Sequence, residues 1–472
     1  MSTLVKKTNV IAFANPYTLF AILIITGILN YLIYDSWNSK TSLSKLYLLM
    51  TLQLTPFIIC LTRQHFNYLA FVMFNHFFTF SVGKINQIKL NLKLDELYPV
   101  AAQSVDELTL CTAIIMVSYY FSRQFIFYRF IEKEKFQLLS LSRIQLILVA
   151  TYVICVPLFL KNLPSWLITL HFATMAADMV LLLCSNSPGH ERLAFYLRFG
   201  VAFSTVWYFL STGFLTMVGN LAGYIFIASC LQRKYNRLFF PFFLGVVACL
   251  IQNVKVDYRK TIYENPSMSV GDRLDLLGTL LHIKYIEEVD LDTDVAEEGE
   301  EEKLGSNMSK GFARAGDDSL EFVLEKTPKE VPFWGGESYS ALPFIFVPRA
   351  LWSDKPSRHI WNKFGRTYGI IGQDDYQTSV GVSFIAEAFM NYGYLGMYAV
   401  AFFMGLMIAF VERLSYYFLN GYYYFTFMCF LMPVMTYGSD LTSIINSIFV
   451  VSAVLIIFRT QFMKMARADD YT

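Results

Sequence analysis

The stretch "EAFMNYGYLGMYAVAFFMGLMIAF", residues 387–410, decides the fold. Between Tyr394 and Val411 it holds no charged residue, which predicts a membrane-crossing helix over 394–411. At its head, Gly393 and Gly396 permit close helix approach or a sharp re-entry, and re-entry is the preferred reading. Outward from this run, apolar segments recur at 18–34, 46–62, 67–83, 108–127, 144–161, 166–185, 198–217, 219–232, 238–253, 422–437 and 442–458. Residues are 55% hydrophobic and only 16% charged, too little charge to cover the surface of a soluble domain. The expectation is an all-α membrane protein with about 12 transmembrane helices.

Basic residues give the orientation. Lys6, Lys7, Arg63, Arg123, Arg129, Arg233, Lys234, Arg237, Arg413, Arg459 and Lys464 fall on one set of flanks. The opposite short loops hold Lys40, Lys45 and Lys161, while Lys84, Lys89 and Lys93 in loop 84–107 count the other way. The balance and the even count predict both termini in the cytoplasm. Three regions follow: a bundle over 1–253 with about nine spans, a large extracytoplasmic loop over 254–393, and three last spans with a cytoplasmic tail over 394–472. The basic residues before the first apolar run precede no small-residue cleavage site, so that run reads as an anchor.

Several functions are disfavoured. Basic residues gather on no soluble module, against nucleic-acid binding. There is neither a Walker A motif nor a dinucleotide glycine fingerprint. All seven cysteines lie in or beside apolar runs without CxxC spacing, so they read as small core residues. Asp317–Asp318 and Asp374–Asp375 are adjacent pairs, not spaced ligands, and no metal site or cofactor is expected.

A loop as long as 254–393 is expected to be functional. Its first half carries the solvated acidic run "EEVDLDTDVAEEGEEEK" at 287–303. Its second half sets Arg349, Lys355, Arg358, His359, Lys363 and Arg366 among Trp334, Trp352, Trp361, Tyr339 and Tyr368, as suits an irregular loop packed over a bundle mouth. Such cations can grip a diphosphate while the aromatics stack on sugar rings. Equally, they can meet lipid headgroups in an aromatic belt. Within apolar runs, His76, His171 and Asp178 read as helix-tying polar groups, and Asp440 is open between that role and the site.

Motif order narrows the choice. "RAGDDSLEFVLEKTP" (314–328), "PFWGGESY" (332–339), "VPRALWSDKP" (347–356), "FGRTYG" (364–369) and "TSVGVSFIAEAFMNYGYLG" (378–396) together resemble the Wzy-type O-antigen, or oligosaccharide repeat-unit, polymerases. That family has an upstream arginine, G-x-x-Y, P-R-x-x-W-x-x-K-P and E-x-x-x-N-x-G-x-x-G. The resemblance implies a GT-C-like, inverting, metal-independent glycosyltransferase of the bacterial inner membrane. It would move a growing glycan from undecaprenyl diphosphate to the next lipid-linked repeat unit on the outer face.

Arg314, Arg349, Trp352, Lys355 and Glu387 sit on the family pattern, and Gly336, Tyr339, Asn391, Gly393 and Gly396 on its structural positions. Cations at Arg314, Arg349 and Lys355, supported by Arg366 or Arg358, are expected to stabilise the departing diphosphate. Glu387, His359, Glu337, Asp317 and Asp318 are candidates for the base on the acceptor hydroxyl, and a salt-bridge role is as open for each acid. Trp352, Glu337, Tyr339, Arg358, Arg366 and Asp440 are assigned to substrate binding. The partners this brings are undecaprenyl-diphosphate-linked oligosaccharide, membrane lipid and a polysaccharide chain-length regulator, with no nucleic acid. Rival readings are a flippase of lipid-linked oligosaccharide, an O-antigen-type ligase and a non-enzymatic scaffold for exopolysaccharide export. A flippase is disfavoured by the asymmetry of one large late loop.

Overall fold

A computed structural model describes residues 43–63, 67–82, 98–126, 206–207, 209–210, 213, 216–231, 238–265, 267–284, 319–344, 347, 360–376, 380–418, 431, 440–449, 451–453 and 456. Among them the chain is mostly helical and built around one long element. Helices are numbered in chain order: α1 (Leu43–Arg63), α2 (Tyr68–His76), α3 (Tyr98–Phe121), α4 (Thr216–Leu231), α5 (Phe239–Glu264), α6 (Val270–His282), α7 (Ser319–Lys326), α8 (Ile360–Thr367) and α9 (Phe384–Phe418). A further helical run covers 441–449.

Helix α9 starts where Ser383 can cap it, its Oγ accepting from Ala386 N–H at 3.4 Å. Ser319, opening α7, accepts from Ser383 N–H at 3.1 Å and so ties α7 to that start. At Gly393 the backbone takes φ 66° and ψ −154°, and α9 kinks there. Only glycine occupies that region without strain. This glycine is a break inside α9.

Beyond the break, α9 lies along α3. A Cβ on Gly405 would come within 2.4 Å of the Ile115 carbonyl oxygen and 2.9 Å of the Tyr119 amide nitrogen. This glycine lets two backbones touch. Around the crossing, Ile115, Tyr119, Ala401, Met404 and Ile408 are fully buried. Helices α1 and α2 close one side of this core, and Phe57, Phe74 and Phe226 stack across to α4. A smaller core joins Phe209 and Leu210 to Tyr258 and Ile262 of α5, with α6 laid against it.

The expectation of about 12 spanning helices is not met. Among the described residues one helix, Phe384–Ser415, is long and apolar enough to cross a membrane. The other runs fail for local reasons. Run 67–83 yields α2, nine residues long and almost wholly buried before a π-helical turn at Phe77–Val82. Run 238–253 falls in α5, whose apolar part ends at Ala248, and run 46–62 gives an apolar helix only over Lys45–Leu61. Run 108–127 belongs to α3, whose earlier half carries Asp106 and Glu107. A short apolar helix packed on all sides by others has the hydropathy of a span but not its length. Runs 18–34, 144–161 and 166–185, and run 422–437 apart from Leu431, lie outside the described residues, as do His171 and Asp178. Without the count, the even-number argument for both termini on one side falls. The border placed at 253/254 falls within the continuous helix α5, and the one at 393/394 within α9.

Candidate functional site

The break at Gly393 releases carbonyls of the turn before it, and an irregular loop takes them. Trp334 N–H donates to the Met390 carbonyl at 3.0 Å and Gly335 N–H to the Asn391 carbonyl at 3.2 Å. Gly335 and Gly336 reach this position with φ of 59° and 93°. A Cβ on Gly336 would lie 2.0 Å from the Tyr392 hydroxyl, so the loop touches α9 directly. The next residues form a 3-10 turn, Glu337–Tyr339, that places Ser338 inward and stacks Tyr339 on Tyr392 at 6.3 Å.

Asn391 staples this loop from the helix side. Its Oδ1 accepts from Gly336 N–H at 2.9 Å, and its Nδ2 donates to Ser338 Oγ and to the Glu387 carbonyl, both at 2.7 Å. One turn earlier on α9, Glu387 is 1% exposed. Its Oε2 accepts at 2.8 Å from Leu441 N–H, the first amide of the 441–449 helix, where the helix dipole favours negative charge. Asp440 caps the same helix end, accepting from Ser443 N–H at 2.5 Å and from Ser443 Oγ at 2.7 Å. The C-terminal helix thus presents its start to the carboxyl of α9.

Two buried atoms of this cluster lack a hydrogen bond among the described residues: Glu387 Oε1 and the Tyr339 hydroxyl. Burial, with the Glu387 carboxyl close by, pushes the Tyr339 phenol above its usual value. Leaving each group unpaired costs about 1–3 kcal/mol, so a fold that keeps both has a use for them or a ligand to fill them. A carboxylate oxygen beside a phenol, both shielded from water, can accept a proton from a bound hydroxyl and hold its oxygen in place.

The loop and α8 beside this cluster are charged and aromatic. Glu337 and Lys363 form an ion pair at 2.5 Å, each about half exposed, and Lys363 lies over the Trp334 ring at 4.9 Å. Such a pair adds little stability, and its cation stays open to an incoming anion. Arg366 stands over Tyr376 at 4.3 Å while its Nε donates to Asn362 Oδ1. Of the residues assigned from sequence, Glu387, Tyr339 and Asp440 lie close together, and Glu337 is in the same 3-10 turn as Tyr339, paired with Lys363. Arg366 is on α8 with Lys363. Arg314, Arg349, Trp352, Lys355, Arg358 and His359 lie outside the described residues, as do Asp317 and Asp318.

Two groups escaped the sequence reading. Ser338 is an ordinary serine in a loop, and only its contact with Asn391 gives it a place. The other is a second buried centre at the far end of α9. There Glu412 Oε2 accepts from Tyr119 Oη at 2.6 Å and from Tyr68 N–H at 3.0 Å, with Arg123 at 3.8 Å from Oε1. A carboxylate closing an apolar helix beside Arg413 was its one signal. Each end of α9 therefore sets a buried glutamate against the start of another helix. His76, also buried, meets the edge of Phe80 at 5.9 Å.

Residues 317–467 match a family described as a domain of unknown function (DUF8712), a region that includes every residue assigned from sequence to catalysis or substrate binding except Arg314. No curated protein and no solved structure matches the chain.

Proposed function

We propose that this chain is a glycosyltransferase that polymerises the repeat units of a bacterial surface polysaccharide at the outer face of the cytoplasmic membrane. Its donor is the growing glycan on undecaprenyl diphosphate and its acceptor the next lipid-linked repeat unit. One observation carries the reading. The G-x-x-Y turn at Gly336–Tyr339 and the E-x-x-x-N-x-G-x-x-G element at Glu387–Gly396 interlock around a buried carboxyl with an unused oxygen. Two of the five stretches that carry the family resemblance thus lie against each other, which supports their belonging to one site.

In this mechanism the acceptor hydroxyl binds between Tyr339 and Glu387. Glu387 takes its proton as the oxygen attacks the anomeric carbon. The bond from that carbon to the phosphate oxygen breaks, and the electron pair leaves with undecaprenyl diphosphate. Arg314, Arg349 and Lys355 neutralise the departing diphosphate, with Lys363 and Arg366 of α8 in support. The apolar length of α9 after Gly393 offers a wall along which a polyprenyl chain can lie, since Leu395, Phe402, Phe403 and Phe410 are exposed there.

The test is the surface-glycan ladder of a strain lacking the gene, complemented with wild type, Arg349→Ala or Lys355→Ala at equal membrane abundance. Wild type should restore the ladder, and each variant should leave a single-repeat band. A null strain that polymerises normally but fails in export or attachment would replace this reading by the flippase or ligase. Full ladders from both variants would remove the cation assignment.

A further inference from the structure

The first turns of α5 carry four phenylalanines in the open. Phe239, Phe240, Phe242 and Phe243 are 50–76% exposed. At helical spacing they fill an arc of about 160°, while Pro241, on the opposite side, is buried. Further along α5 the apolar side chains are covered instead. Val254, Tyr258 and Ile262 are buried, the last two in one core with Phe209 and Leu210. One half of the helix is thus covered by protein, and the open half begins the apolar segment Phe239–Ala248.

Length, charge and symmetry together identify what meets this face. The apolar segment rises only about 15 Å, half the hydrocarbon thickness of a bilayer, so it can enter one leaflet without crossing. The chain just before it is positive. Arg233, Lys234 and Arg237 precede Phe239, and no acidic residue occurs between Glu191 and Asp257. These three cations lie outside the described residues, yet chain length alone keeps the Arg237 Cα within about 7 Å of that of Phe239. A second copy of this chain on the same face would set those charges against their own kind, which disfavours a symmetric dimer. Anionic headgroups over an acyl interior supply both complements at once, negative charge for the cations and hydrocarbon for the rings.

We propose that the first turns of α5 are an interfacial membrane anchor, with Phe239, Phe240, Phe242 and Phe243 sunk into the acyl boundary of an anionic leaflet. The contact is separate from α9 and does not depend on the glycosyltransferase reading.

The experiment reads immersion directly. Full-length protein carrying a nitroxide at Phe239→Cys or Phe243→Cys is reconstituted into vesicles of phosphatidylcholine alone, or of equal parts phosphatidylcholine and phosphatidylglycerol. The unsubstituted chain, treated alike, supplies the background from its own cysteines. Lys260→Cys, exposed on the polar half of α5, is the aqueous reference. In anionic vesicles the ratio of oxygen to nickel-chelate collisions at 239 and 243 should exceed that at 260 about threefold or more, as fits immersion by about 5–10 Å. In neutral vesicles that ratio should drop at least about twofold. Arg233→Gln with Lys234→Gln and Arg237→Gln should abolish this dependence on lipid charge. A water-like ratio at both positions in anionic vesicles would overturn the proposal. Labels shielded from oxygen and nickel alike would also overturn it, since protein, a second copy or another part of this chain, then covers the face. Equal immersion in both kinds of vesicle would remove the assignment to anionic lipid.

Discussion

At the residue scale, buried carboxylates define this molecule. Glu387 and Glu412 each accept a backbone N–H from the first residue of another helix, so each fixes where that helix begins. They differ in what else they hold. Glu412 has a phenol, an amide and the Arg123 guanidinium about it, and its role is to join α2, α3 and α9. Removing it takes the carboxylate from a partly buried guanidinium and the acceptor from Tyr119 Oη and Tyr68 N–H. Glu412→Ala should cost about 3 kcal/mol or more, and Glu412→Gln, which keeps an acceptor, about 1–2 kcal/mol. Heat or denaturant unfolding of the purified variants checks this, and equal stability for all three would remove the clamp. Glu387 keeps one oxygen without a hydrogen bond among the described residues.

That contrast also measures what a sequence can reveal at this scale. Glu387 was legible because it falls in a spaced element with asparagine and glycines. Glu412 was not, since its partners Tyr68, Tyr119 and Arg123 come from two helices far away in the chain. Ser338 gave no signal at all, because nothing local distinguishes a serine that will meet Asn391.

At the scale of elements, the crossing of α3 and α9 sets the architecture. It depends on Gly405, where a Cβ would overlap Ser118 Oγ and press on the backbone at Ile115 and Tyr119. A serine rotamer can move and a backbone carbonyl cannot. Gly405→Ala should therefore cost about 1–3 kcal/mol, and adding Ser118→Ala should recover only part of it. Chemical unfolding of the single and double variants is the check, and full recovery in the double variant would place the crossing elsewhere. The helical character of α1, α3, α5 and α9 was readable from apolar runs. Their lengths were not. Helix α2 shows the reason: nine apolar residues can be buried by neighbours as well as by lipid, and hydropathy scores the two alike.

At the scale of the whole molecule, α9 joins two environments. Its first turns pack under the 332–339 loop, and its length after Gly393 is apolar enough to lie in a bilayer. Along that length Phe402, Phe403 and Phe410 are 42–48% exposed and form a greasy face. Full-length protein should stay with membranes through alkaline carbonate extraction. Phe402→Lys with Phe403→Lys should release a large fraction, since each lysine at mid-bilayer costs about 2.5–3.5 kcal/mol. Retention of the double variant would mean that α9 is a core helix facing other protein.

These scales converge on Glu387, a buried carboxyl placed by α9, steadied by the 441–449 helix and covered by the glycine turn. The most direct test is chain growth by purified full-length protein on a lipid-linked repeat unit, comparing wild type with Glu387→Gln. The account predicts a ladder of products from wild type. It predicts at least a hundredfold slower growth from the variant, within the roughly 10²–10⁴-fold contribution of a general base, with the melting temperature preserved. A Glu387→Gln protein that builds the ladder at the wild-type rate would contradict it.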